Sequence, residues 1–139
     1  MGSEMCIRDR DFAGCKVLVA DDNDISMEII TELLTMNGLE VVSACNGREA
    51  VDKFAASTEG SVQLVLMDVQ MPELDGCEAA RQIRQLPRRD ASSVPILALT
   101  GNSSSDDVEA AMQAGMNDYM VKPVKMKLLA RVMSEYIHV

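Results

Sequence analysis

The sequence predicts an α/β domain with five parallel strands and helices on both faces of the sheet. Three observations carry this. Short runs of β-branched and aliphatic residues alternate with amphipathic stretches five times, and strands separated by helices pair in parallel. The runs are apolar almost throughout, as expected for strands covered on both faces. The third run, Val62 to Met67, stops on a carboxylate, Asp68, and Pro72 and Asp75-Gly76 then prevent a longer strand. Asp68 is therefore placed at the carboxyl end of a central strand, the edge where open α/β sheets bind ligands.

Composition bounds the possibilities. The 139 residues suffice for one domain with its own core and not for two. A net charge of −9 argues against direct nucleic-acid binding, which needs clustered Lys and Arg. No apolar run reaches the roughly 18 residues of a membrane span, and no secretory leader is recognisable. No membrane contact by this domain is expected. Cys6, Cys15, Cys45 and Cys77 show no CxxC spacing, which argues against metal or disulfide frameworks. Three of the four lie in or beside apolar segments as small hydrophobes, and a reducing, cytoplasmic setting fits. Eleven Met against two Tyr, two Phe and no Trp point to a core of flexible aliphatics.

Residues 1–11 carry charge without periodicity and are read as a disordered tail or an expression remnant, leaving 12–139 as the domain. The first strand is Lys16 to Ala20, ending on Asp21-Asp22-Asn23. A helix follows from about Asp24, with Ile25, Ile29, Ile30, Leu33 and Leu34 along one face, and Asn37-Gly38 stops it. Glu40 to Cys45 is the second strand. Asn46 and Glu49 form a capping box for a helix to about Ser57. After the third strand, Asp75 and Glu78 repeat that pattern, and a helix with Ala79, Ala80, Ile83 and Leu86 runs to Pro87. A polar loop, 88–93, precedes a fourth strand, Val94 to Leu99, which ends on Thr100-Gly101-Asn102. Ser103 to Ser105 open a fourth helix with Asp106 and Asp107 in its first turn; Gly115 ends it. Asp118 to Val121 is the fifth strand, followed by Lys122-Pro123. The last helix carries Leu128, Leu129, Val132, Met133 and Tyr136, and Lys125 is a poor cap for it. The doubly wound, flavodoxin-like strand order 2-1-3-4-5 is the natural candidate for this pattern.

In that order the strand ends gather Asp21, Asp22, Asp68, Thr100 and Lys122 into one crevice. Three carboxylates a few Å apart repel one another, and a hard divalent cation relieves the conflict; an all-oxygen set suits Mg²⁺. A carboxylate beside Mg²⁺, an ammonium and a hydroxyl is suited to receive a phosphoryl group by in-line attack, with the two cations neutralising the phosphoryl oxygens. Taken singly, each residue has a plainer explanation. Asp21 or Asp22 could cap the following helix, Thr100 could simply end a strand, and Lys122 could be a solvated surface cation. Only their conjunction at successive strand ends favours chemistry.

The stretches VLVADDN, LVLMDVQMPELDG, PILALTGN and GMNDYMVKP together resemble the receiver domains of two-component response regulators. The wording is most similar to receivers of hybrid sensor histidine kinases. The resemblance spans all but about the first dozen residues. It implies that Asp68 is the phosphoacceptor and that Asp21, Asp22, Asp68 and the backbone carbonyl of Gln70 hold Mg²⁺. It further implies Thr100 as the switch hydroxyl, Tyr119 as the switch aromatic, and Lys122, with a cis bond to Pro123, as the site's cation. Gly101 stands where a small Ala is commoner, and Lys125 where a Ser or Asp cap is usual. By the same resemblance the domain takes its phosphoryl group from a histidine kinase or phosphotransfer protein. It assists its own phosphorylation and dephosphorylation rather than acting as an enzyme on a separate substrate. The face of the fourth helix, fifth strand and last helix is the expected docking surface for a partner or a second copy. With no output domain after the last helix, the chain is expected to be part of a hybrid kinase or, alternatively, a stand-alone regulator.

Other functions fit less well. A phosphohydrolase of the haloacid dehalogenase type needs a second carboxylate two residues after its nucleophile, and Gln70 stands there. A flavin module needs a phosphate-cradling loop after the first strand, where Asp21 and Asp22 would repel a phosphate. A receiver that had lost its chemistry would lack Asp68, Thr100 or Lys122.

Overall fold

The computed structural model describes residues 16–36, 38–58, 61–69, 76–87, 89–91, 93–100, 105–121, 125, 127–129, 131 and 135. Five strands, β1 (Lys16–Ala20), β2 (Glu40–Ala44), β3 (Val62–Asp68), β4 (Ile96–Thr100) and β5 (Asp118–Val121), form one sheet in the order β2-β1-β3-β4-β5. Every neighbouring pair is parallel. Helices α1 (Asp24–Met36), α2 (Gly47–Ala56), α3 (Gly76–Arg84) and α4 (Ser105–Gln113) make the crossovers. Helical backbone recurs at 127–129, 131 and 135, where the sequence predicts a last helix. Val132, Met133 and Tyr136 of that prediction lie outside the described residues, as do the tail 1–11, the stop at Asn37, the cap at Asp75, and Ser103.

The strands are apolar on both faces because two cores lie against them. Leu18, Ala20, Val65, Met67, Ile96 and Ala98 face Phe54 of α2, Ala80 and Ile83 of α3, and Ala111 of α4. Val17, Val19, Leu64, Leu66, Leu97 and Leu99 face Ile30 and Leu34 of α1 and Leu129. The period of two along each strand thus sorts side chains between two covered faces rather than between core and water.

Local chemistry sets the helix ends. Asn23, rather than either Asp, caps α1: its Oδ1 accepts from Ser26 N at 2.9 Å. At the other end Gly38, with φ of 87°, lets Gly38 N and Leu39 N donate to Thr35 O and Leu34 O. Leu39 then packs in the same core as Leu34, which completes a Schellman motif. Gly115 (φ 99°) ends α4 the same way, with Met116 N donating to Ala111 O.

Five expectations need correction. Helix α3 ends at Arg84, not Pro87, and Leu86 N closes the turn after it by donating to Ile83 O. The apolar face of α1 is Met27, Ile30, Leu33 and Leu34. Ile25 and Ile29 are 68% and 43% exposed, since Ile25 lies about 140° around the helix from Ile30. β4 starts at Ile96, not Val94, because Val94 N completes the preceding turn by donating to Asp90 O. The loop before it holds a 3₁₀ turn, Arg89–Ala91, that buries Ala91. Cys77 is buried as a small hydrophobe, but Cys45 is exposed; Cys6 and Cys15 lie outside the described residues.

The Asn46 capping box forms with a shift. Asn46 Oδ1 accepts from Glu49 N at 2.7 Å, while the Glu49 carboxylate reaches one residue further back, to Cys45 N at 2.7 Å. That backbone donor, then the Cys45 thiol and Lys53, hold the Glu49 carboxyl down at about 2. A depressed carboxyl adds stability that is present above its unfolded value of 4.5 and is lost as pH falls toward 2. Glu49→Gln should therefore lower Tm at pH 7 by roughly 1–4 °C, the scale of a helix cap. The gap to wild type should close between pH 4.5 and 2 in paired melts; a gap independent of pH would refute this role.

Candidate functional site

Among the described residues, the buried polar or charged side chains are Asp21, Asp68 and Thr100, at 2%, 7% and 2% exposure. All three sit at the carboxyl edge of adjacent strands. Register explains why. Ala20 pairs with Met67, so Asp21, next in the chain, is level with Asp68. Asp68 pairs with Leu99, so Thr100 lies one residue beyond its partner.

Each residue is held by backbone around it. Asp21 N donates to Ala44 O at 3.0 Å, tying the end of β1 to the end of β2. Asp21 Oδ1 accepts from Asn23 N at 2.9 Å, which turns the chain into α1. Because Asn23 supplies the cap, capping accounts for neither carboxylate. Val69 N donates to Leu99 O at 3.1 Å and Gly76 N to Val69 O at 3.0 Å, so Asp68 lies between β4 and the start of α3.

Asp21, Asp22 and Asp68 each offer a carboxylate oxygen, and these three oxygens lie within 4.8 Å of one another. Two of the groups are buried and Asp22 faces solvent. An all-oxygen, anionic, one-side-open donor set fits a hard divalent cation that keeps some of its water.

Tyr119 is half-buried on β5 and packs against the core that covers α2, α3 and α4. Its strand partner is Ala98, two residues before Thr100, so Tyr119 and Thr100 lie on the same face, offset by one pleat. Gln70, Gly101, Lys122 and Pro123 lie outside the described residues; Val121, before Lys122, pairs with Thr100.

The sequence reading missed two features. Arg84, at the end of α3, donates to Gly115 O, Ala91 O and Asn117 Oδ1 at 2.9, 3.0 and 2.8 Å. Asn117 in turn holds Ile96 through its backbone N–H and its side-chain oxygen. The second is Gly76, whose Cα sits against the Asp68 carbonyl. An Asp-Gly pair at a helix start signalled a turn, and nothing in the pattern indicated what lies opposite it.

Residues 17–134 match the family model for the response regulator receiver domain. The chain belongs to that family. Hybrid signal transduction histidine kinase I of Dictyostelium discoideum is 37% identical over 124 residues, which cover 88% of this receiver and 7% of that kinase. The receiver therefore spans a small fraction of the curated relative it matches. The crystal structure of a Pseudomonas aeruginosa sensor histidine kinase receiver, with magnesium coordinated in its active-site cleft, is 35% identical, with a TM-score of 0.81 over 89% of this chain and 98% of that one. The receiver of the Saccharomyces cerevisiae response regulator Ssk1, co-crystallised with the histidine phosphotransfer protein Ypd1, is 34% identical, with a TM-score of 0.78 and 91% coverage of each chain.

A divalent cation that binds only the folded receiver should raise its Tm. At ten times its dissociation constant the gain is about 1.4 kcal/mol, a few degrees. Asp22→Asn should weaken that response in melts across a magnesium titration. A wild-type Tm indifferent to millimolar magnesium would refute the three-carboxylate site.

Proposed function

We propose that this receiver takes a phosphoryl group from a phosphohistidine onto Asp68 and that it serves in a hybrid sensor histidine kinase. The observation that carries this reading is the gathering of Asp21, Asp22, Asp68 and Thr100 at one sheet edge, with three carboxylate oxygens within 4.8 Å. In this reading a carboxylate oxygen of Asp68 attacks phosphorus in line. The new P–O bond forms as the P–N bond breaks, and the imidazole leaves and takes a proton from solvent. Asp21, Asp22, Asp68 and the Gln70 carbonyl would hold Mg²⁺, which would supply positive charge to neutralise the phosphoryl oxygens. Lys122 adds a second positive charge, and the Thr100 hydroxyl donates to a phosphoryl oxygen. The group transferred ends on the domain itself, so 12–139 is a substrate that assists the reaction rather than an enzyme with turnover.

The phosphodonor in this reading is a protein, a kinase or a phosphotransfer domain. Helix α1 starts at the site's rim and carries Ile25, Ile29 and Met36 in an exposed apolar stripe along one side. A protein presenting its histidine to Asp68 meets that rim, and the stripe gives it apolar area to cover. At the last helix and just before it, Lys125, Lys127, Leu128 and Arg131 line a cavity of about 480 Å³. In a chain of net charge −9 this surface suits an acidic partner or an acidic part of a second copy. Among the described residues no helix is long and apolar enough to cross a membrane. The thiols of Cys45 and Cys77, neither of them in a disulfide, support a cytoplasmic setting.

Incubation with acetyl phosphate and magnesium should add one phosphoryl group to the wild-type mass and none to Asp68→Asn. Equal labelling of both proteins would refute the assignment of Asp68.

The same reading makes Thr100 and Tyr119 a switch. New phosphoryl oxygens draw the Thr100 hydroxyl toward them, and the offset Tyr119 swings into the space left beside β4. The coupling expected is about 1–3 kcal/mol. In Thr100→Ala, Asp68 should still be phosphorylated while the amide-exchange or NMR response around Tyr119 disappears. An undiminished Tyr119 response in that variant would rule out this route.

A further inference from the structure

We propose that Gly76 is a positioning residue for Asp68: only a residue without a side chain lets the first turn of α3 close over the Asp68 carbonyl and seat that aspartate against Asp21 and Asp22. The proposal rests on the reading of Asp68 as phosphoacceptor and names a residue that sets its place.

A Cβ at position 76 would lie 2.1 Å from the Asp68 carbonyl oxygen, 2.9 Å from its carbonyl carbon and 3.0 Å from Met67 Cγ. The first contact, carbon to oxygen, lies far inside 3.0 Å, a separation that Cβ atoms essentially never undercut. Gly38 and Gly115 serve by their positive φ; Gly76 is not among the glycines with positive φ, so its requirement is space. The Asp68 carbonyl is backbone and cannot turn aside, and Met67 Cγ belongs to a fully buried side chain.

Both sides of this contact are anchored. β3 is fixed by Asp68 pairing with Leu99 and by the bond from Val69 N to Leu99 O. Helix α3 is fixed by burial of Cys77, Ala79, Ala80 and Ile83 in the core. Gly76 N also donates to Val69 O at 3.0 Å, so helix and strand end share a hydrogen bond one residue past Asp68. A methyl group at 76 must either push the end of β3 or lift α3 and stretch that bond. In the first case Asp68 moves relative to Asp21, whose position is set independently through Ala44 and Asn23; in the second, the residue after Asp68 loses the hydrogen bond that holds it from α3. A displacement of about 1 Å at a reacting group can cost on the order of a hundredfold in rate.

The test compares Gly76→Ala with Gly115→Ala. Gly115 also resists a side chain, by its φ of 99° and a contact 3.2 Å from Arg84 Cγ, but it precedes β5 at the opposite edge of the sheet. Two readouts are taken: the magnesium dissociation constant from the dependence of Tm on magnesium, and the initial rate of phosphorylation by acetyl phosphate from intact mass. Both variants and wild type are measured in trimethylamine N-oxide, which favours the compact state. The expected result is at least a tenfold loss in both readouts for Gly76→Ala, with Gly115→Ala within threefold of wild type despite its own fall in Tm. Gly76→Ala within threefold of wild type, or equal losses in the two variants, overturns the proposal. Failure of Gly76→Ala to fold even with the osmolyte also overturns it, in favour of a purely structural glycine. Wild-type protein that neither binds magnesium nor becomes labelled overturns the reading of the site, and this proposal with it.

Discussion

Carboxylates brought close together and taken out of water are the constraint around which this receiver is built. Asp21 and Asp68 are buried, Asp22 stands beside them at the surface, and one oxygen from each lies within 4.8 Å of the others. Like charges at that spacing repel, and burial removes the water that would screen them. Such a cluster persists only where the surrounding structure outweighs its cost. Here it sits at the end of a sheet whose central strands β1, β3 and β4 are almost entirely buried. Each of those strands puts its apolar residues into a core, and its buried polar residue stands at the rim or just past it. Stability and function are thereby separated along each strand rather than between faces.

The supports of the cluster are short-range and mostly backbone. Ala44 O, Leu99 O and Val69 O accept the bonds that place the ends of β1, β3 and α3. Side chains enter where the chain must turn: Asn23 caps α1, and Asp21 accepts from Asn23 N. A backbone-held frame suits a site whose occupant changes, because strand ladders do not rearrange when one side chain gains or loses a phosphoryl group. In the proposed switch, movement is left to the side chains of Thr100 and Tyr119.

Much of this was legible in the sequence. The limits of β1 and β5 follow from apolar runs and turn residues, which are local signals; the strand order does not follow from them and is the one expected of doubly wound sheets. The convergence of Asp21, Asp22, Asp68 and Thr100 was legible because each lies at the end of a strand. What failed had a physical reason. Helix α1 carries two apolar stripes, one through Met27, Ile30 and Leu34 and one through Ile25, Ile29 and Met36, and periodicity cannot say which meets the sheet. The reach of Arg84 to Asn117 joins residues 33 apart, and the closeness of Gly76 to Asp68 depends on a backbone crossing. Neither leaves a periodic trace in the sequence.

The two faces of the sheet also give the proposed signal a direction. Asp21 and Asp68 continue the alternation of Val17, Val19, Leu64 and Leu66, the face covered by α1. Thr100 continues that of Ile96 and Ala98, the face shared with Tyr119 and α4. A donor approaching by α1 and a response spreading through Tyr119 thus use opposite faces, with Thr100 the link between them. The approach to β5, through Gly115 and Asn117, is ill-placed to take part. Asn117 grips Ile96 by two hydrogen bonds and is itself held by Arg84, which also binds Gly115 and Ala91. That clamp ties α3, the 3₁₀ turn, β4 and the approach to β5 together at the edge away from the carboxylates. In the proposed switch, a change begun at Thr100 would therefore spare Asn117 and reach Tyr119, the carboxyl end of β5 and the segment beyond it, where Leu128, Lys125 and Arg131 face solvent for a partner to read.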